Sequence, residues 1–171
     1  MAADAEFEAI VDRYYPSLYR FALSLTRQDS DASDLTQQTF YIWARKGHQL
    51  LDSSKVKSWL FTTLHREYLQ QRRRSARHSE VDLDQAEPEL PRVSPPAISK
   101  VDSAAVLHAL TRLEPTFRAP IALFYLEEYS YIEIGQILEI PLGTVKSRIS
   151  RGIGQLQRLL EQSRLAPMEA S

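Results

Sequence analysis

Lys146, Ser147, Ser150 and Arg151 fall at spacings that set them side by side on a helix, and from Pro141 to Leu160 there are four basic residues and no acid. Such a face can bind DNA. Lys and Arg reach phosphates or guanine edges, and serines allow close approach to the groove. Taken alone, a basic run more often means a solvated face. A second cationic cluster, Arg72-Arg73-Arg74 with Arg77, follows a stretch holding Trp59, Phe61 and Tyr68. Arginines pair with phosphates, and rings at a polar margin stack on bases. Most aromatics at helical spacing pack instead, so Tyr14, Tyr15, Tyr19, Phe40, Tyr41, Trp43, Trp59 and Phe61 are assigned mainly to a core. Covalent chemistry has little to use. His48, His65, His78 and His108 are not paired at ligand spacing and cysteine is absent, so no catalytic residue, metal or cofactor is expected. Phosphate-loop and nucleophile-elbow glycine patterns are also missing. Glu127-Glu128 suits a solvated helix end.

The elements that would position these residues are helices. Ser130-Tyr131-Ile132-Glu133 has the form of a capping box and predicts a helix from 131 through Ile132, Ile134, Ile137 and Leu138. Gly135 is small enough to admit a second helix. Glu139-Ile140-Pro141-Leu142-Gly143 predicts the turn, with Thr144 capping the next helix, so that the pair forms a helix-turn-helix. Val145, Ile149, Ile153, Leu156 and Leu160 form its apolar stripe, while Gly152 and Gly154, each costing about 1 kcal/mol against Ala, predict a soft C-terminal half. Upstream, Phe7, Ile10, Val11, Tyr14, Leu18, Phe21, Ala22 and Leu25 mark one helix face, with Pro16 permitting a kink. Asp29-Ser30-Asp31 offers caps for a helix to about Lys46, closed by Gly47 as a left-handed residue. A loop from His48 to Lys55 leads to a helix through Trp59, Leu60, Leu64, Tyr68 and Leu69 and into the arginines. Helices are further expected over Val101–Leu113 and Pro115–Leu126, followed by two short ones.

The 171 residues carry a formal charge of -1, a figure that hides its distribution. Residues 1–78 hold 12 Lys/Arg against 9 Asp/Glu, residues 79–103 hold 2 against 6, and residues 104–171 hold 7 against 7. Local charge is what an anion feels within a Debye length of about 8–10 Å. The middle segment, with Pro88, Pro91, Pro95 and Pro96, is expected to be an acidic, semi-extended linker. The expected fold class is therefore all-α, with small helical domains at 1–78 and 104–171 joined by a tether at 79–103. No apolar run approaches the ~20 residues that cross a bilayer, so no membrane insertion is expected. MAADAEFE is acidic where a signal peptide would be basic, which together with the missing cysteines predicts a cytoplasmic protein.

The stretch LEPTFRAPIALFYLEEYSYIEIGQILEIPLGTVKSRISR resembles the C-terminal promoter-binding domain of extracytoplasmic-function sigma factors. DASDLTQQTFYIWARK resembles the segment by which their N-terminal domain grips the polymerase clamp, and VKSWLFTTLHREYLQQRRR the helix that binds the melted promoter strand. The resemblance implies a transcription initiation factor with core RNA polymerase (clamp and flap) and promoter DNA as partners, and it allows an anti-sigma factor. It assigns Asp34, Gln37 and Gln38 to the clamp. Leu50, Trp59, Arg66, Arg72, Arg73 and Arg74 go to the −10 element, with Leu50 near a pocket for a flipped-out base. Thr144, Lys146, Ser147, Arg148, Ser150 and Arg151 go to the −35 element. Ser33 and Gln38 stand where the family commonly has Glu, and a phosphate on Ser33 or Thr36 would restore that charge. Leu50 replaces a frequent aromatic, and Arg66 and Gln70 stand where Asn and Asp are usual. Two other readings remain: a stand-alone helix-turn-helix regulator acting without polymerase, and a helical adaptor whose basic face only confers solubility.

Overall fold

The computed structural model describes residues 2–78 and 101–165, so the acidic tether predicted at 79–103 lies outside the described residues except for its last three positions. Those positions are helical, because the fourth helix already begins at Val101. The chain separates into two compact units, Met1–Val93 and Ser94–Ser171. All regular structure among the described residues is helical.

The first unit holds α1 (Ala2–Thr26), α2 (Asp29–Lys46) and α3 (Val56–His78), each packed on the other two. Leu18, Phe21, Ala22 and Leu25 from α1 meet Leu35 and Phe40 from α2 and Leu60, Phe61 and Leu64 from α3, all buried. The Phe21 and Phe61 rings lie 5.3 Å apart, tilted 47° to one another. Thr36 and Thr39 enter this core because each hydroxyl donates back to the carbonyl four residues earlier, at 2.7 and 2.8 Å. Pro16 sits inside α1 without ending it.

The helix termini differ from expectation in two ways. The N-cap of α2 is Gln28, which contributes no side-chain bond, so Asp29 and Asp31 act from the first turn through the helix dipole rather than as caps. The left-handed residue is Arg27 (φ 66), whose amide closes α1 on the Leu23 carbonyl at 2.9 Å. Gly47 is right-handed (φ -59), and the chain passes through it into a 3-10 turn, Gly47–Gln49. Gly47 is needed for a different reason. A Cβ there would lie 2.6–2.8 Å from the Trp43 ring.

The second unit holds α4 (Val101–Arg112), α5 (Pro115–Tyr125), α6 (Tyr131–Leu138) and α7 (Leu142–Leu165), with α7 packed on the other three. Its core is built from Leu107, Leu110, Leu113, Ile121, Leu123, Ile134, Ile137, Val145, Ile149 and Leu156. Burying each such side chain stabilises the fold by about 1.5–3 kcal/mol. Ile132 is excluded from it, standing 61% exposed on the outer face of α6. The last helix is also not short: α7 runs 24 residues straight through both glycines. Gly152 is buried against α5, where a Cβ would lie 2.7 Å from Cγ1 of Ile121 and 3.2 Å from Cβ of Phe117. The helix is therefore held where propensity alone predicts softness.

Candidate nucleic-acid interfaces

In the second unit, the capping box forms in full. The Glu133 amide donates to Ser130 Oγ at 3.2 Å, and the Ser130 amide donates to Glu133 Oε2 at 2.8 Å. Glu139 (φ 58) ends α6 in the left-handed region, and Ile140 and Pro141 complete the turn. Gly135 permits the close approach, since its missing Cβ would sit 3.1 Å from the Ile140 carbonyl and 3.5 Å from Val145 Cγ2. The next helix begins earlier than Thr144. The Pro141 carbonyl accepts from the amides of Thr144 and Val145 at 3.0 and 3.1 Å, so Pro141 holds the cap position and Thr144 lies in the first turn. Val145, Ile149 and Leu156 face the core, with Ile153 and Leu160 half-buried. Lys146, Ser147, Ser150 and Arg151 are exposed together, and Thr144 and Arg148 flank them half-buried. A rigid helix thus presents short hydroxyls between cations, the arrangement that lets a helix sit in a major groove.

One long-range bond ties that helix to α5, and a shorter one ties α5 to α4. Gln155 Oε1 accepts from the Glu114 amide at 2.9 Å, supplying α5 with the cap that the Glu114 side chain does not provide. Buried Arg118 donates from Nε to the Leu113 carbonyl at 2.8 Å, tying α5 to the end of α4.

In the first unit, a groove of about 740 Å³ opens between α2 and α3. It gathers Leu50, Trp59 and Arg66, three of the residues expected to meet the −10 strand, together with Gln38, which was expected on the clamp. Asp34 and Gln37 are exposed on α2 away from that lining. Arg72, Arg73 and Arg74 are exposed further along α3 and do not line the groove. Arg72 leans over the Tyr68 ring at 5.8 Å with Nη1 3.4 Å from its hydroxyl. Tyr41, expected mainly in the core, also lines it, as do Arg45, Lys46, Gln49 and Glu67, which the sequence did not single out. Tyr41, Ile42 and Arg45 recur at helical spacing from Gln38, a signal that was there to be read.

The aromatic set is divided. Phe40 and Phe61 are buried, Tyr14, Tyr15, Tyr19, Trp43 and Trp59 are half-buried, and Tyr41 is 56% exposed. Trp59 is steadied edge-on by Trp43, with centroids 5.1 Å apart. Arg45 stands over the Tyr41 ring at 5.7 Å and places Nη1 3.3 Å from its hydroxyl. At the mouth, Leu50 is half-buried while Leu51 is 98% exposed. The turn that follows, Ser53–Lys55, is capped by Asp52, which accepts from the Ser54 hydroxyl at 2.6 Å and its amide at 3.0 Å. Those bonds, hydroxyl first, and then Lys55 hold the Asp52 carboxyl below its usual value. Thr36 is fully buried with its hydroxyl committed to Ala32, so a phosphate cannot be placed there on folded α2; Ser33 is half-buried.

These two basic surfaces, on two helical units, have the chemistry of nucleic-acid-binding proteins, and comparison with known proteins gives the family. The Sigma-70 region 2 family matches residues 10–78, and Sigma-70 region 4 matches residues 103–156. The chain is similar to the ECF RNA polymerase sigma factor SigE of Mycolicibacterium smegmatis, at 35% identity over 93% of this chain and 63% of that protein. It thus spans less than two thirds of SigE's length. It is also similar to SigM of Mycobacterium tuberculosis, at 30% identity over 90% of this chain and 76% of that protein. Among solved structures it is similar to the sigma factor RpoE of Bartonella quintana, determined with the anti-sigma factor NepR, with 30% identity and a TM-score of 0.75 over 91% of this chain and 97% of that one. The chain belongs to the ECF RNA polymerase sigma factors. A stand-alone helix-turn-helix regulator is not favoured, since residues 10–78 of the N-terminal unit match Sigma-70 region 2. No helix among the described residues is long and apolar enough to cross a membrane.

Proposed function

We propose that this chain binds core RNA polymerase and directs it to particular promoters in the cytoplasm, melting the −10 region, without catalysing a reaction of its own. The observation that carries the reading is the groove between α2 and α3, where half-buried Trp59 and exposed Tyr41 stand among Arg45, Lys46 and Arg66. Cations that follow a phosphate chain, interleaved with rings that stack on bases, suit an unpaired strand, whereas a duplex keeps its bases stacked inside. Leu50, Trp59 and Arg66 act in that groove on the −10 strand, and Arg72, Arg73 and Arg74 extend its charge along the DNA backbone. Asp34 and Gln37 meet the polymerase clamp, with Gln38 at the border between clamp and groove. Lys146, Ser147, Arg148, Ser150 and Arg151, with Thr144 at the helix start, read the −35 element. The C-terminal unit also docks on the flap.

The domains are taken as 1–78 and 104–171 with a tether at 79–103, a reading supported by Sigma-70 matches at residues 10–78 and 103–156. The RpoE relative is held by the anti-sigma factor NepR, which supports an inhibitor of that class as a partner here.

The test is in vitro transcription with core polymerase on a promoter selected from a random library by the reconstituted holoenzyme. Lys146→Glu and Arg151→Glu should each lower initiation at least tenfold, since a bidentate base or phosphate contact is worth about 1–3 kcal/mol and the introduced charge adds repulsion. Equal activity of both variants would remove the −35 assignment. Failure of the purified chain to associate with core polymerase in mild salt would remove the whole reading.

A further inference from the structure

The groove between α2 and α3 is lined by three cations, Arg45, Lys46 and Arg66, and a single carboxylate, Glu67. In a channel for a polyanion that carboxylate opposes every phosphate, so it requires its own reason. Pairing along the helix does not supply one. The residues three and four positions away on α3 are Thr63, Leu64, Gln70 and Gln71, none of them cationic. Across the groove, the Arg45 guanidinium is engaged with the ring and hydroxyl of Tyr41. Among the described residues no hydrogen bond or ion pair engages the half-buried Glu67 side chain.

An ionised carboxylate only accepts hydrogen bonds, and its two oxygens suit two donors side by side. Gln70, one turn along α3, lines the same groove, and its amide can donate about 5–6 Å away in Cβ terms. One donor followed by two adjacent acceptors complements one unpaired base edge. Guanine presents O6 as acceptor, then N1–H and the N2 amino group as donors. Adenine and cytosine set a ring acceptor beside their amino group, and thymine flanks its single N–H with two carbonyls. Each of those three turns a lone pair toward a carboxylate oxygen.

We infer that the groove selects an unpaired guanine, whose N1–H and N2 amino group donate to the Glu67 carboxylate and whose O6 accepts from the Gln70 amide. The inference rests on the promoter-strand reading of the groove. Glu67 is then a specificity-determining residue: it weakens phosphate binding slightly everywhere and recovers the loss only with the matching base.

The experiment uses holoenzyme reconstituted from the full chain and core polymerase. Its DNA carries a preformed bubble, and each unpaired non-template position is varied in turn through the four bases and inosine. Wild type should bind about tenfold more tightly when guanine occupies one particular position, the lower range for a bidentate base contact. Inosine, which lacks the N2 amino group, should lose most of that preference. Glu67→Gln, with one acceptor in place of two, should reduce the guanine preference below about threefold and become indifferent to inosine. Glu67→Asp, which keeps the carboxylate, should preserve the order of bases. A guanine preference that persists in Glu67→Gln, or wild-type binding with no guanine preference at any position, overturns the inference while leaving the promoter-strand reading intact. Wild-type holoenzyme that binds bubbles no better than closed duplex overturns both. The inosine comparison needs wild type alone, so it decides the matter even if a variant fails to fold.

Discussion

A single methyl group decides the local structure at Gly47. The residue is right-handed, so Ala would fit its backbone and favour the helix, yet the new Cβ would press into the Trp43 ring at 2.6 Å. That ring supports Trp59, which lines the groove. Gly47→Ala should therefore destabilise the protein by about 1–3 kcal/mol in urea unfolding, the usual cost of overpacking. It should also shift tryptophan fluorescence and weaken binding of single-stranded promoter DNA. A more stable Gly47→Ala would mean that Trp43 swings aside freely. From the sequence, Gly47 reads as a left-handed helix end, because glycine most often serves that role. Its actual partner is a ring on the preceding turn, a question of side-chain direction that residue type alone does not answer. Leu51 and Glu67 escaped the sequence reading for the same reason. A leucine reads as core and a glutamate as solvated face until exposure and lining are known.

The helix carrying the basic face depends on two glycines with opposite roles. Gly154 has open space where its Cβ would be, so Gly154→Ala should stabilise the chain by about 0.5–1 kcal/mol in thermal unfolding. Gly152 is buried against Ile121 and Phe117, so Gly152→Ala should destabilise it despite the same gain in propensity. Two stabilising substitutions would show that α5 and α7 separate easily. Ser130→Ala should cost about 1 kcal/mol, because it leaves the Glu133 amide without its cap. The capping box was legible in full from four consecutive residues, since each of its bonds spans less than one helical turn. The start of α7 was not, because Thr144 is a good cap in isolation and only the bonds accepted by the Pro141 carbonyl show that the helix begins before it.

Across the whole molecule, a formal charge of -1 coexists with two cationic surfaces because the excess of acid over base lies between residues 79 and 103. DNA binding should therefore depend on salt as though the protein were basic. Replacing Arg72, Arg73 and Arg74 together by Gln should flatten the slope of log affinity against log salt by about 0.7–0.9 for each phosphate that is no longer neutralised. Affinity should fall nearly equally across promoter sequences, since these arginines stand outside the groove lining. Isothermal binding of holoenzyme at several salt concentrations measures both. An unchanged slope would assign the run to the solvated end of α3.

The sequence by itself determined what depends on neighbours within a turn or two of chain: the all-α class, the helix-turn-helix, the capping box and the clustering of charge. Period, caps and composition are local properties, so they survive without the fold. Only the tertiary structure decided which of these surfaces face one another. The groove joins Gln38 and Tyr41 on α2 to Trp59, Arg66 and Glu67 on α3, the Glu114 amide finds its cap on Gln155 forty-one residues away, and Gly152 meets Ile121. Such pairings are set by the packing of whole helices, and packing depends on the volume and direction of side chains distant in the chain, which no local pattern encodes.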